Sequence, residues 1–201
     1  MKTSLLFAAG LLASSVALAA PTPGQTAPNF RATDVAGKPV SLADFKGKYV
    51  VLEWNNPGCP FVQKHYDSGN MQALQKRYGA DNVAWLAINS THQGSSDYMG
   101  PAKLAAWFKQ HNATPASVLM DSSGEVGRTY GAKVTPHMYV IDPNGTLVYA
   151  GAIDDKRSTN VADVKTATNY VTAALTDAKS GKPVAKATSN AYGCTIKYSD
   201  G

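Results

Sequence analysis

Apolar residues in this chain follow two patterns, short unbroken runs and repeats at every third or fourth position. The short runs are bounded by turn-forming residues and predict buried strands at Tyr49–Leu52, Asn82–Ser90 and Ser117–Met120. The longer repeats predict helices that begin after Cys59, at Pro101 and at Asn160, the last of them ending near Ala178. Strands and helices therefore follow one another along the chain, which is typical of an α/β domain.

Turn-forming residues divide these elements further. The sequence Asp67-Ser68-Gly69-Asn70 falls within the first helical repeat, so we expect a kink or two short helices there. Pro143-Asn144-Gly145 separates His137–Asp142 from Leu147–Gly151 and predicts a hairpin. A weaker alternation over Phe30–Leu42 predicts a second, small hairpin near the N-terminus.

The first nineteen residues have the features of a secretory signal peptide. Lys2 gives a positive start, Leu5–Leu12 form an apolar run, and Ala17-Leu18-Ala19 is a cleavage sequence of small residues. The apolar run is too short to cross a bilayer. We therefore expect residues 1–19 to be a signal peptide, the mature chain to begin at Ala20, and its location to be periplasmic or secreted.

Composition narrows the class of protein. The net charge is +5, and removal of Lys2 leaves +4; the basic residues are dispersed and form no stripe. Nucleic acid is therefore not an expected partner. The mature length suits one domain with a sizeable core, which we place at residues 20–181. Residues 182–201 have no clear periodicity and form a predicted C-terminal tail.

The chain contains two cysteines, Cys59 and Cys194. Cys59 follows a predicted strand and an Asn-Asn-Pro-Gly turn, and Pro60 after it favours the first position of a helix. Unpaired N–H groups at a helix N-terminus stabilise a thiolate, so we expect a lowered thiol pKa; a buried, inert cysteine is the alternative. An even pair of cysteines in an oxidising compartment predicts a Cys59–Cys194 disulfide, either structural or redox-active.

Two stretches carry a family resemblance, "APNF…DVAGKPVSLADFKGKYVVLEW" and "KVTPHMYVIDPNGTLVYAGAID". They resemble the redoxin branch of the thioredoxin superfamily, and the similarity continues to about Leu175. The resemblance implies a thioredoxin-like three-layer α/β sandwich, with a mixed central sheet, helices on both faces and an N-terminal hairpin extension. Val62 stands where a Cys-x-x-Cys site has its second cysteine, so Cys59 has no local partner.

The resemblance also implies roles for individual residues. In the family a cis-proline loop packs against the reactive cysteine and binds an extended substrate. The matching residues here are Thr135 and Pro136, and Pro60 and Phe61 are the other expected substrate contacts. Glu53 matches a buried carboxylate that moves protons at the site; the alternative is a strand residue near a sheet edge.

Two activities are compatible with this resemblance. Thiol-disulfide exchange with a protein or a small molecule needs an accessible thiolate and a leaving sulfur, with Cys194 as the resolving or bridging cysteine. Peroxiredoxins instead reduce a peroxide, and they place Thr or Ser three residues, and Pro seven residues, before the reactive cysteine. Those positions hold Asn56 and Leu52 here, so we rank peroxide reduction second.

A copper-binding thioredoxin-fold protein is the third interpretation. Thiolate and imidazole suit Cu(I), and Cys59, Cys194 and His137 are the candidate ligands. Copper proteins of this fold normally use two cysteines close together in sequence, and that spacing is missing. We therefore expect no metal and no cofactor. His65, six residues after Cys59, is expected on the helix surface.

Overall fold

A computed structural model describes residues 19–199, so residues 1–18 of the predicted signal peptide lie outside the described residues. The strands are β1 (Arg31–Asp34), β2 (Pro39–Ser41), β3 (Val50–Trp54), β4 (Ala84–Asn89), β5 (Ser117–Met120), β6 (Val134–Thr135), β7 (His137–Ile141), β8 (Leu147–Gly151) and β9 (Cys194–Thr195). The α-helices are α1 (Pro60–Asp67), α2 (Asn70–Ala80), α3 (Pro101–Gln110), α4 (Glu125–Tyr130) and α5 (Tyr170–Lys179). Two 3-10 helices lie at Leu42–Phe45 and Val161–Thr166.

Seven strands form one mixed sheet in the order β2-β1-β5-β4-β3-β7-β8. The inner strands β3, β4 and β5 are parallel to one another, and β1 and β7 run antiparallel to them. The N-terminal hairpin β1–β2 extends the sheet beyond β5, as expected. All residues of β3 and β4 are buried, which explains why the sequence of each strand contains an uninterrupted apolar run.

The core has two layers because successive side chains of each strand point to opposite faces of the sheet. Helices α1, α2, α3 and α5 cover one face; α4, the N-terminal segment and the first 3-10 helix cover the other. Strand residues facing the first layer include Val51, Ala87 and Val140, and those facing the second include Leu52, Leu86 and Ile141. The predicted three-layer α/β sandwich is therefore confirmed.

The first long helical repeat is broken where its sequence predicts. Helix α1 ends at Asp67, and Gly69 caps α2 with a φ of 72°, a left-handed conformation that glycine adopts without steric cost. The chain therefore forms two short helices rather than one kinked helix.

The continuous helix expected from Asn160 is wrong in its first part. Residues 161–166 form a 3-10 helix, Ala167 is extended, and a new helix begins at Tyr170. The Asn169 side chain accepts the N–H of Thr172 at 2.9 Å and so starts α5. The sequence period is the same for one unbroken helix and for two helical segments separated by an extended residue. Because the segments are separate, Val161 does not share the buried face of α5 and is 42% exposed.

The C-terminal tail packs against the domain over much of its described length. Its strand β9 pairs antiparallel with β6. Tyr192 is buried in the first core layer and Ile196 in the second, so the tail passes from one face of the sheet to the other. Across residues 19–199 no helix has the length and apolar character needed to cross a membrane.

The break in the helical repeat before α5 leads to a stability prediction. Leu175 is fully buried against the sheet, so Leu175→Ala should lower the free energy of unfolding by about 2–5 kcal/mol, through lost burial and an internal cavity. Val161→Ala, a position inside the same sequence repeat, should change it by no more than about 0.5 kcal/mol. Chemical denaturation of both variants measures the difference, and equal losses would contradict the observed break.

Candidate active site

Cys59 lies at the junction between the central strand β3 and helix α1. It is the N-cap residue of α1, with an extended backbone, and Pro60 occupies the first helical turn. The expected strand–turn–Cys–Pro–helix arrangement is therefore confirmed. Cys59 is only 2% exposed, because other parts of the chain cover it.

Cys59 is bonded to Cys194, as the cysteine count predicted. The two residues are 135 positions apart in sequence, and their Cα atoms are 5.8 Å apart. The bond joins the start of α1 to the C-terminal tail. It is the one disulfide among the described residues, which contain no free cysteine.

The loop before β7 forms the third side of this site. The Thr135–Pro136 peptide bond is cis, as expected. The carbonyl oxygen of Thr135 lies 3.1 Å from Sγ of Cys59, and Thr135 is also the strand partner of Cys194. Three segments that are distant in sequence thus meet at one carbonyl group.

Gly193 makes this close approach of the tail possible. Its φ of 145° lies in the region that favours glycine. A Cβ atom at this position would overlap the carbonyl oxygen of Thr135 and crowd Pro136. The residue before Cys194 must therefore lack a side chain for β9 to pair with β6.

Phe61 and Pro60, the two residues after Cys59, differ in their surroundings. Pro60 is exposed, whereas Phe61 is half-buried and its ring contacts the ring of Tyr192 edge-on, with centroids 5.8 Å apart. The tail therefore contacts α1 through an aromatic pair as well as through the disulfide.

Glu53 lies in β3, between β4 and β7, and its side chain is fully buried. The alternative of a residue near a sheet edge is therefore wrong. Four side chains donate hydrogen bonds to its carboxylate: Asn55 at 2.9 Å, Tyr66 at 2.7 Å, Trp85 at 2.7 Å and Gln75 at 3.5 Å. Burial raises the pKa of Glu53 above its ordinary value of 4.5, and the four hydrogen bonds oppose that rise.

The two histidines singled out from the sequence are both largely withdrawn from solvent. Burial lowers the pKa of His137 to about 4, and its Nδ1 lies 3.4 Å from Tyr139 Oη. His65 is completely buried, so its expected place on the helix surface is wrong. The loop after β8 packs over this part of α1 and places Asp154 3.8 Å from His65.

Two further sequence expectations concern peroxide and metal chemistry. The Asn56 side chain accepts the N–H of Gly58 at 2.8 Å and donates to Thr91 at 3.3 Å, so its polar atoms are already engaged. Leu52 belongs to the second core layer. Within the described part of the chain, no three or more His, Cys, Asp or Glu side chains are grouped as a metal site would require.

Sequence reasoning missed the polar residues that hold the tail beside α1, namely Lys64, Asp154 and Tyr192. Asp154 follows a hairpin in an Ile-Asp-Asp sequence, and Tyr192 precedes Gly193-Cys194. Neither pattern differs from that of a solvent-exposed polar residue. Only the aromatic residue next to Gly-Cys could have suggested a packed tail.

The sequence pattern of the AhpC/TSA family matches residues 23–150, which include β3, Cys59 and the cis-proline loop. This chain belongs to the AhpC/TSA family. The thioredoxin-superfamily resemblance drawn from the sequence is thereby confirmed. Cys194, in the tail, lies outside the matched residues.

The chain is also similar to a named thiol-disulfide oxidoreductase. Thiol-disulfide oxidoreductase ResA of Bacillus thuringiensis subsp. konkukian is 30% identical over 125 residues, which are 62% of this chain and 66% of that protein. The chain thus spans just under two thirds of the length of that relative.

Two solved structures share the fold over most of the chain. An uncharacterized conserved protein from Geobacillus kaustophilus has a TM-score of 0.76 at 28% identity, covering 89% of this chain and 93% of that one. A hypothetical protein from Sinorhizobium meliloti 1021 has a TM-score of 0.74 at 27% identity, covering 91% and 98%. The shared thioredoxin-like fold therefore extends beyond residues 23–150, the part that matches the family.

The raised pKa of Glu53 predicts a pH dependence of stability. Between pH 4.5 and the higher folded-state pKa, the folded protein binds more protons than the unfolded chain. The contribution of Glu53 to the free energy of unfolding is therefore full below pH 4.5 and decreases as pH rises through the folded-state pKa. Urea denaturation at several pH values measures the free energy of unfolding of wild type minus that of Glu53→Gln. This difference should fall as pH rises. Glu125→Gln, at an exposed position on α4, is the matched control; a difference that grows with pH would contradict the prediction.

Proposed function

We propose that this protein is a thiol-disulfide oxidoreductase that acts through Cys59, with Cys194 as its resolving cysteine. The observation that carries the proposal is the bond between the cysteine at the start of α1 and the tail cysteine, formed against the carbonyl group of Thr135. The relatives named thiol-disulfide oxidoreductase ResA support the same activity.

Reduction of a substrate disulfide consists of two exchange steps. The Cys59 thiolate attacks a substrate disulfide, so that a mixed disulfide forms and one substrate thiolate leaves. Cys194, as its thiolate, then attacks Cys59 Sγ, which forms the Cys59–Cys194 bond and releases the second substrate thiolate. The same steps in reverse oxidise a dithiol substrate. The N–H groups at the start of α1 favour the thiolate of Cys59 in both directions.

Access to Cys59 requires the tail to move. Strand β9 occupies the edge of β6, and Cys59 has almost no exposed surface while the tail is in place. A substrate that pairs with Thr135 must replace Cys194 at that edge. We therefore assign Thr135 and Pro136, together with Pro60 and Phe61, to substrate contact in a state from which the tail has withdrawn.

Glu53 has a proposed role in proton transfer. It is buried on the same side of the sheet as α1, and Tyr66 of that helix donates a hydrogen bond to it. A carboxyl group with a raised pKa binds or releases its proton at a higher pH than an ordinary one. This property suits a group that accepts the proton of a thiol as the thiolate forms.

The proposed location is the periplasm or the exterior of the cell, and the proposed partner is a protein or small-molecule thiol or disulfide. Residues 1–19 support export, and a disulfide persists in an oxidising compartment. Peroxide reduction is a second candidate because the chain belongs to the AhpC/TSA family. It ranks lower because Asn56 and Leu52 supply neither a hydroxyl group to position a peroxide nor the expected proline.

Paired serine variants test the assignment of roles. Reduced wild type treated with a symmetric peptide disulfide should release two peptide thiols per protein and end with the Cys59–Cys194 bond. Cys194→Ser should release one thiol and stop as a mixed disulfide at Cys59. Cys59→Ser should react at least tenfold more slowly, since Cys194 lacks a helix N-terminus to stabilise its thiolate. Mass spectrometry and thiol release measure all three.

Two outcomes would contradict the proposal. If Cys59→Ser reacts as fast as Cys194→Ser, Cys59 is not the activated thiol. If the native disulfide withstands dithiothreitol until the protein unfolds, the bond is structural.

Rapid consumption of hydrogen peroxide by the reduced wild type, with sulfenic acid accumulating in Cys194→Ser, would reverse the ranking of the two activities.

The close approach of Gly193 to Thr135 gives a separate prediction. Gly193→Ala should displace β9 and lower the equilibrium constant for Cys59–Cys194 bond formation about tenfold or more, because the new Cβ collides with a carbonyl group and φ is unfavourable. Gly181→Ala is the matched control, since Gly181 also has a positive φ but open space around it. Titration of each variant with a glutathione redox buffer measures the constants; equal values would contradict the prediction.

A further inference from the structure

A buried polar cluster joins the tail to helix α1, and neither cysteine belongs to it. We define the Asp154 cluster as Lys64, His65, Asp154 and Tyr192, all of which are at most 3% exposed. Asp154 Oδ2 lies 3.7 Å from Lys64 Nζ and 3.8 Å from His65 Nε2. The hydroxyl group of Tyr192 donates a hydrogen bond to Asp154 Oδ1, which also accepts the N–H of Lys156 at 2.9 Å.

The charged pair in this cluster is Asp154 and Lys64. The Asn70 amide donates to His65 Nδ1 at 3.0 Å, so the proton of the neutral imidazole lies on Nε2 and faces Asp154. Burial keeps His65 neutral by lowering its pKa to about 4. Lys64 Nζ donates to the carbonyl oxygen of Lys156 at 2.7 Å. Burying such a pair costs free energy, and a hydrophobic pair of the same size is often more stabilising, so stability alone does not account for it.

The placement of Tyr192 indicates what the cluster does. Tyr192 is two residues before Cys194, and its ring packs on Phe61, which is two residues after Cys59. Its hydroxyl group reaches Asp154, in the loop after β8. Tyr192 is therefore fixed relative to both cysteines by contacts that do not involve the disulfide.

We propose that Asp154 is a positioning residue for Cys194: through the Tyr192 hydroxyl group it holds the tail beside α1 when the Cys59–Cys194 bond is open. This inference rests on the proposed redox role of the two cysteines. When the bond opens, the tail can leave, and the rate and equilibrium of reclosure depend on the fraction of molecules in which the tail stays docked. Asp154 raises that fraction and so raises the effective concentration of Cys194 at Cys59.

The primary test is Tyr192→Phe, which removes the hydrogen bond to Asp154 and keeps the ring against Phe61. In a glutathione redox buffer the equilibrium constant for the Cys59–Cys194 bond should fall about tenfold, as expected for loss of one hydrogen bond to a charged group. Amide exchange of Ile196, whose N–H is bonded to Lys133 in the docked tail, should become faster in the reduced variant.

Tyr130→Phe is the matched control. Tyr130 is also buried, and its hydroxyl group donates to the carbonyl oxygen of Pro28, in the N-terminal segment, at 2.6 Å. Its loss should lower the free energy of unfolding while leaving the disulfide equilibrium within about twofold of wild type. If Tyr192→Phe behaves like Tyr130→Phe in the redox titration, the cluster only stabilises the fold and the inference fails.

A double-mutant cycle shows whether Asp154 acts through Tyr192. Asp154→Asn should lower the equilibrium constant at least as much as Tyr192→Phe, and the double variant should fall no further than Asp154→Asn alone. Full additivity would overturn the inference. Should Asp154→Asn not fold, the comparison of Tyr192→Phe with its control decides the matter. If neither glutathione nor dithiothreitol opens the Cys59–Cys194 bond of the folded wild type, the proposed function itself is rejected. If the bond opens but Tyr192→Phe and Tyr130→Phe have equal equilibrium constants for it, only the role of Asp154 is rejected.

Discussion

The carbonyl group of Thr135 is the point on which the arrangement of the site depends. Cys59 Sγ lies 3.1 Å from its oxygen, Cys194 is the strand partner of the same residue, and Gly193 has no side chain where one would overlap it. Because the three segments meet at this one carbonyl group, a shift of any one segment displaces the others. The position of α1, the cis-proline loop and the tail are thus determined together.

The central strand β3 combines two demands that oppose each other. Its residues are all buried, yet it carries the carboxyl group of Glu53. An isolated buried carboxylate is very costly, and the hydrogen bonds from Asn55, Tyr66, Trp85 and Gln75 offset part of that cost. These donors come from the residue after β3, from α1, from β4 and from α2. The network therefore fixes α1 against the sheet and with it the place of Cys59.

Local sequence signals were sufficient for much of the fold. The strand runs, the Pro-Asn-Gly hairpin and the Cys-Pro start of α1 each act within a few residues, and the structure has all three. The features that were missed depend on distant contacts. His65 is buried because the loop after β8 covers α1, and the break before Tyr170 depends on the Asn169 cap. Pairing of β9 with β6 involves a two-residue strand, too short to give a period.

The sequence distance between the two cysteines has a consequence for biosynthesis. A ribosome adds Cys59 to the chain 135 residues before it adds Cys194. At ordinary elongation rates this interval is on the order of ten seconds. During that time Cys59 is an unpaired thiol, and β6, once its own residues have been added, has no strand partner at its edge. The nascent polypeptide therefore differs chemically from the folded protein at least until Cys194 has been added.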